Sequence, residues 1–153
     1  MNSFWKLSPW ISRFIIVAVA GLFTMISLKF VFDPRAAAAN SGIIIEPGLG
    51  YTNTRAGFGG FPLGFAAILI FCLFSSRRLL AALSSIATVA AVILAVRLFG
   101  AAQDATFGQS AHLLIPEALL LVISLLGAVM ETKRRARDSI VMRQVDSRET
   151  VSR

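Results

Sequence analysis

Cysteine, histidine and charge are what this sequence has least of. Of 153 residues one is a cysteine, Cys72, one is a histidine, His112, and only 15% are charged. A lone thiol has no second sulfur for a disulfide, for Cys-x-x-Cys redox chemistry or for a thiolate metal cage. The chain offers no paired carboxylates, no His-rich ligand set and no Ser/His/Asp order, so hydrolytic, redox and metal chemistry each lack their parts. The sequence therefore predicts no catalytic residue, no metal and no cofactor. Its composition equally excludes disorder, collagen and coiled coil.

What is present is apolar: 56% of residues are hydrophobic and the mean hydropathy is +0.75. A soluble domain runs nearer ~45–50% apolar and ~25% charged. A membrane-crossing helix needs roughly 20 mainly apolar residues to traverse ~30 Å of hydrocarbon, and four such runs occur. They are Ile11 to Phe32, Ala56 to Ser76, Leu79 to Phe99, and about Leu113 to Met130. Only Ser75, Ser76, Arg77 and Arg78 separate the second from the third, which makes those two antiparallel neighbours. The other connections, Asp33 to Arg55 and Gly100 to His112, are longer. The expected fold is all-α, an integral membrane four-helix antiparallel bundle over residues 1–130, followed by a polar basic tail over 131–153. A cleaved signal peptide is the competing reading of the N-terminus, but the apolar run is long for one, and Lys29, Asp33, Pro34 and Arg35 lie between it and the small residues Ala36 to Ala39.

Basic residues in short loops mark the cytoplasmic side. The N-terminus (Lys6, Arg13), the hairpin (Arg77, Arg78) and the tail (Lys133, Arg134, Arg135, Arg137, Arg143, Arg148, Arg153) hold eleven basic residues against four acidic ones, Glu131, Asp138, Asp146 and Glu149. On the other side Lys29, Arg35, Arg55 and Arg97 balance Asp33, Glu46, Asp104 and Glu117. The whole net charge of +7 thus falls on one side, which predicts a multi-pass membrane protein with both termini on the cytoplasmic side. The pI of about 11.1 is then a matter of topology, and no nucleic-acid partner is expected. Trp5 and Trp10 fit an inner interfacial belt and Tyr51 an outer one. The run from Lys133 to Arg137 either anchors topology alone or also touches anionic lipid headgroups of the bilayer.

Small residues let membrane helices approach. Gly57, Gly60 and Gly64 share one stripe of span two, and Ser84, Thr88, Ala91 and Ala95 make a smooth face on span three. These faces are expected to meet within the chain, the alternative being a homo-oligomer contact. Pro62 and Pro116 each remove a backbone donor and favour a kink.

The informative polar residues gather at the outer ends of the spans. Glu117 is the hardest to dismiss, because a charge in a spanning helix is costly and usually faces the bundle beside a partner; Leu121, Ser124 and Ala128 continue its face. The partner is expected to be Arg55 or Arg97. Helical phase does not decide, since Arg97 lies opposite the Ser84 face and Arg55 opposite the Gly57 face. One reading is an ion pair that fixes helix register. The other is an outward-opening pocket in which Arg55, Arg97 and Glu117, with Asn53 and His112, bind a small amphiphilic ligand or anion. His112 itself reads better as a surface residue, being well round the helix from Glu117.

These residues resemble a family of small bacterial membrane proteins, domain of unknown function 4345. The resemblance rests on Asp33-Pro34 after the first span, on Asn53-Thr54-Arg55-Ala56 leading into Gly59-Gly60 and Gly64, and on Arg97 and Glu117. It covers roughly residues 11–130, and departs at the alanine-rich stretch after Pro34. It implies four membrane helices in a bacterial cytoplasmic (inner) membrane, a multi-pass protein, and brings no reaction with it. Independently of it, Asp33 reads as an N-cap with Pro34 at the first helical position, and Arg35 to Asn40 as a short helix. Gly42 to Tyr51 either dips back against the bundle or forms a loose loop. The function expected from all this is a structural or small-molecule or lipid-binding module. A subunit of an oligomeric small-solute transporter or channel is the alternative, disfavoured by the scarcity of charge in the inner halves of the spans.

Overall fold

Long apolar segments fold as helices because a helix satisfies its backbone donors and acceptors internally, the condition that hydrocarbon imposes. The computed structural model describes residues 3–151, with side chains over 8–140. The described residues are helical, without a strand: α1 (Ser3–Phe32), α2 (Pro34–Asn40), α3 (Leu49–Thr54), a π-helical turn (Arg55–Gly60), α4 (Phe61–Leu73), α5 (Leu79–Gln103) and α6 (Phe107–Val151). Four stretches are long and apolar enough to cross a membrane: Ser8–Phe32, Leu49–Leu73, Leu79–Gln103 and Phe107–Ile140. Their flanks leave Phe14, Phe61, Phe71, Phe99, Ile115 and Leu126 exposed, far more apolar surface than a water-soluble monomer carries. This is the construction of a multi-pass membrane protein. Trp5, Lys6, Arg143, Asp146, Arg148, Glu149 and Arg153 lie outside the residues whose side chains are described.

The second and fourth spans depart most from the sequence expectation. The second span begins at Leu49 rather than Ala56, because the π-helical turn carries helix through the glycines: Phe61 N–H bonds the Ala56 carbonyl, five residues back. That widened turn stands directly before Pro62, whose ring would crowd the preceding turn of a regular helix. The fourth helix starts at Phe107 and continues past Met130 into the basic tail, over 45 residues. Lys, Arg, Glu and Met are good helix formers, so no residue there stops it.

The chain divides into two compact units, one holding α1 up to Ile15 together with Ser75 onward, the other Ile16–Phe74. In the first, α5 and α6 run antiparallel. Arg97 meets Glu117, Leu83 packs on Gly127, and the Arg77 carbonyl meets Arg135. Ile15 of α1 also reaches Gly127, and Arg13 donates to Ser76 Oγ at 3.2 Å. The buried side of α5 is Leu79, Ala82, Leu83, Ile86, Ala87 and Ala90. Ser84, Thr88, Ala91 and Ala95 are exposed, so the smooth face is not the one that α5 buries. Leucines interleaved with alanines, opposite a glycine, gain more dispersion contact than a uniformly small face.

The connection between α5 and α6 turns on Ala105, at φ 54°. Thr106 N–H bonds the Ala101 carbonyl at 3.0 Å, the six-to-one bond of a Schellman ending, with alanine where glycine is usual.

In the second unit, Asp33 accepts from Ala36 N–H at 3.0 Å and Pro34 opens α2. The rest of α1 runs antiparallel to the π turn and α4: Phe30 stacks on Phe58 (centroids 5.3 Å apart) and Phe23 meets Phe65 edge-on (5.4 Å). The close-approach glycine is Gly59, where a Cβ would stand 2.7 Å from Val31 Cγ2 and 3.3 Å from Val31 N. At Gly57 and Gly64 nothing lies within 4 Å, and at Gly60 only the Arg55 carbonyl does. The contact therefore falls one residue away from the stripe, because the π turn rotates these glycines out of regular helical phase.

Candidate functional site

Glu117 lies in α6 directly after Pro116, inside the apolar stretch Phe107–Ile140. Arg97 closes on it from α5: its Nε donates to both carboxylate oxygens at 2.8 Å, and Nη2 lies 2.7 Å from Oε1. The side chains are 32% and 18% exposed, respectively. On the face that continues from Glu117, Leu121 is half-buried, and Ser124 is buried and donates to the carbonyls of Leu120 and Leu121 at 2.8 and 3.0 Å. Charge-assisted bonds in this fork geometry are among the stronger polar contacts available to a protein.

The remaining candidates do not join that pair. Arg55 is used within the other unit, its Nε donating at 3.0 Å to the carbonyl of Val31. Val31 lies in the last turn of α1, whose terminal carbonyls have no intrahelical partners, so Arg55 acts as a cap on that helix end, where a cation is also electrostatically favoured. Asn53 and His112 are exposed. The candidate residues thus form an interhelical ion pair in one unit and a helix cap in the other.

The second unit has a cleft of about 480 Å³, lined by Arg35, Ala39, Gly42, Ile43, Ile44, Ile45, Pro47 and Tyr51. The connection after α2 packs back: Ile43 N–H bonds the Ala38 carbonyl at 2.9 Å, and a Cβ on Gly50 would meet Ile45 at 2.9 Å. Tyr51 is half-buried there, whereas Trp10 is 68% exposed beneath the Arg13 guanidinium, 5.7 Å from its ring centroid.

One charged residue that sequence reasoning counted only as tail charge is wholly buried. Glu131 is 0% exposed. Arg134 grips it with Nε at 3.0 Å and Nη2 at 2.6 Å, and Arg135 Nε lies 3.5 Å away. Arg135 Nη2 also donates to the Arg77 carbonyl, tying α6 to the hairpin. The signal was present in the sequence, since Glu131 is the next inward position after Glu117, Leu121, Ser124 and Ala128 at steps of three and four. On α1, Ser8, Ser12 and Ser27 are buried with no hydrogen-bond partner among the described residues.

No protein-family model, no curated protein and no solved structure matches the chain.

Proposed function

We propose that the chain is a four-span module of the bacterial cytoplasmic membrane, an antiparallel bundle with both termini on the cytoplasmic side, akin to domain of unknown function 4345. In this reading the outer polar cluster is structural, and the module's role is to hold shape and bind lipid-like molecules or partners rather than to carry out chemistry. One observation carries it: the charges of Arg97 and Glu117 are spent on each other. A ligand anion entering there would first have to displace a carboxylate held at three contacts, and an amphiphile would find no free charge to orient it. The sidedness of the basic residues supports the orientation.

Two measurements test this. With Cys72 replaced by serine, cysteines at Ser41 and Ser139 are offered a membrane-impermeant maleimide in intact cells; position 41 is expected to label, and position 139 only after permeabilisation. Native mass spectrometry of detergent-purified wild type and Glu117→Gln should show the same bound small molecules. A molecule lost only from Glu117→Gln would return the outer cluster to ligand binding.

A further inference from the structure

At the opposite end of the α5–α6 hairpin, three arginines stand with a single acid around one cleft. Ser76, Arg77, Arg134, Arg135 and Asp138 line a cleft of about 270 Å³. Arg13 adds its charge through the bond to Ser76 Oγ, and Arg78 adjoins in sequence. We infer that this cleft binds the phosphate of an anionic lipid headgroup, an inference that rests on the four-span membrane reading proposed above.

Three features make it more than a basic surface. First, the arginines are set in place. Buried Glu131 holds Arg134, and Arg135 is braced between Glu131 and the Arg77 carbonyl. Guanidinium forks fixed this way lose little freedom on binding a tetrahedral anion, which they match in geometry. Second, donors remain. The Arg77 side chain makes no hydrogen bond or ion pair among the described residues, and Ser76, which accepts from Arg13, keeps its own proton to give. Third, the cleft lies at the level where a headgroup would be. Arg13 links Ser76 to the exposed ring of Trp10, and a tryptophan so placed marks the membrane interface. This last feature favours a lipid phosphate over a soluble one. The volume, room for about nine waters, admits a phosphodiester with its glycerol arms.

Asp138 works against the anion. It is 67% exposed and its carboxylate lies 3.6 Å from Arg134 Nη1, so it competes for the same guanidinium. Its removal should tighten binding, an effect that misfolding cannot imitate.

The test is native mass spectrometry of the full chain in detergent with added phosphatidylglycerol, with phosphatidylcholine as the zwitterionic comparison. Wild type should retain phosphatidylglycerol in preference. Arg77→Gln should weaken retention about tenfold, the range of one lost charge-assisted contact, while Arg78→Gln, an equal charge change on a residue that does not line the cleft, should have a much smaller effect. Asp138→Asn should raise retention. Equal losses for Arg77→Gln and Arg78→Gln would show diffuse attraction to charge and overturn the site, as would equal retention of the two lipids. Displacement by millimolar inorganic phosphate without phosphatidylglycerol binding would overturn the lipid assignment. Outside labelling of position 139 would overturn the orientation alone, since binding in detergent does not depend on it.

Discussion

Glutamine at position 117 removes the charge of the carboxylate and keeps its shape. Breaking one side of a fully buried ion pair costs about 3–5 kcal/mol, and breaking an exposed one about 0–1 kcal/mol. With Arg97 at 32% and Glu117 at 18% exposure, the pair lies between, and about 2 kcal/mol is expected for Glu117→Gln. Arg97→Gln strands the carboxylate in a helix flanked by Pro116 and leucines and should cost about the same. In the double variant neither side chain carries an uncompensated charge, and two amides retain a hydrogen bond across the same gap, so the combined loss should again be near 2 kcal/mol rather than twice that. The coupling energy would then be about 2 kcal/mol, measured by unfolding in mixed micelles with the helical circular dichroism signal as readout. Losses that add to within about 0.5 kcal/mol, the scatter of independent sites, would refute the coupling and with it the clamp.

Other outcomes follow from single positions. Gly59→Ala places a methyl 2.7 Å from Val31 Cγ2 and should destabilise by about 1–3 kcal/mol, with partial rescue by Val31→Ala in the same unfolding assay. Gly127→Ala meets only the flexible ends of Leu83 and Ile15, at 3.0 and 3.3 Å, and gains about 1 kcal/mol of helix propensity, so its midpoint should barely move. Ala105→Gly relieves a left-handed alanine and should stabilise by about 1 kcal/mol, seen as a raised thermal midpoint. Ser12→Ala deletes a buried hydroxyl with no partner among the described residues and should be neutral or stabilise by about 1 kcal/mol; a loss of more than that would mean that the hydroxyl is satisfied.

The spans were legible because a bilayer demands one thing of a sequence, a long apolar run, and this chain meets that demand four times. Their ends were less so. Gly57, Gly60 and Gly64 read as one packing face, whereas the chain passes through a π turn at Arg55–Gly60, a change of hydrogen-bond register that residue spacing does not encode. Glu117 stood out because it is a charge inside an apolar run, but Arg55 and Arg97 share the same charge and depth. Only the backbone path separates a guanidinium that meets a carboxylate from one that caps a helix carbonyl. Glu131 was overlooked because four basic neighbours at 133, 134, 135 and 137 disguise it as part of a solvated tail. It is fully buried beside Arg135, which reaches across to the Arg77 carbonyl, a long-range contact that local composition does not contain.

Held by Arg97–Glu117 near one end and Arg135–Arg77 near the other, α6 is riveted once to α5 and once to the turn that leads into it. A slip of one residue along the axis, about 1.5 Å with a turn of roughly 100°, would spring both rivets together, because neither can be released while the other stays in register. The two helices therefore travel as a single lever, and neither can slide past the other. Motion within the hairpin is left to bending, most readily at Pro116, where the backbone lacks a donor. That flexible point sits one residue from the Arg97–Glu117 rivet, so a bend there would be felt first by the ion pair.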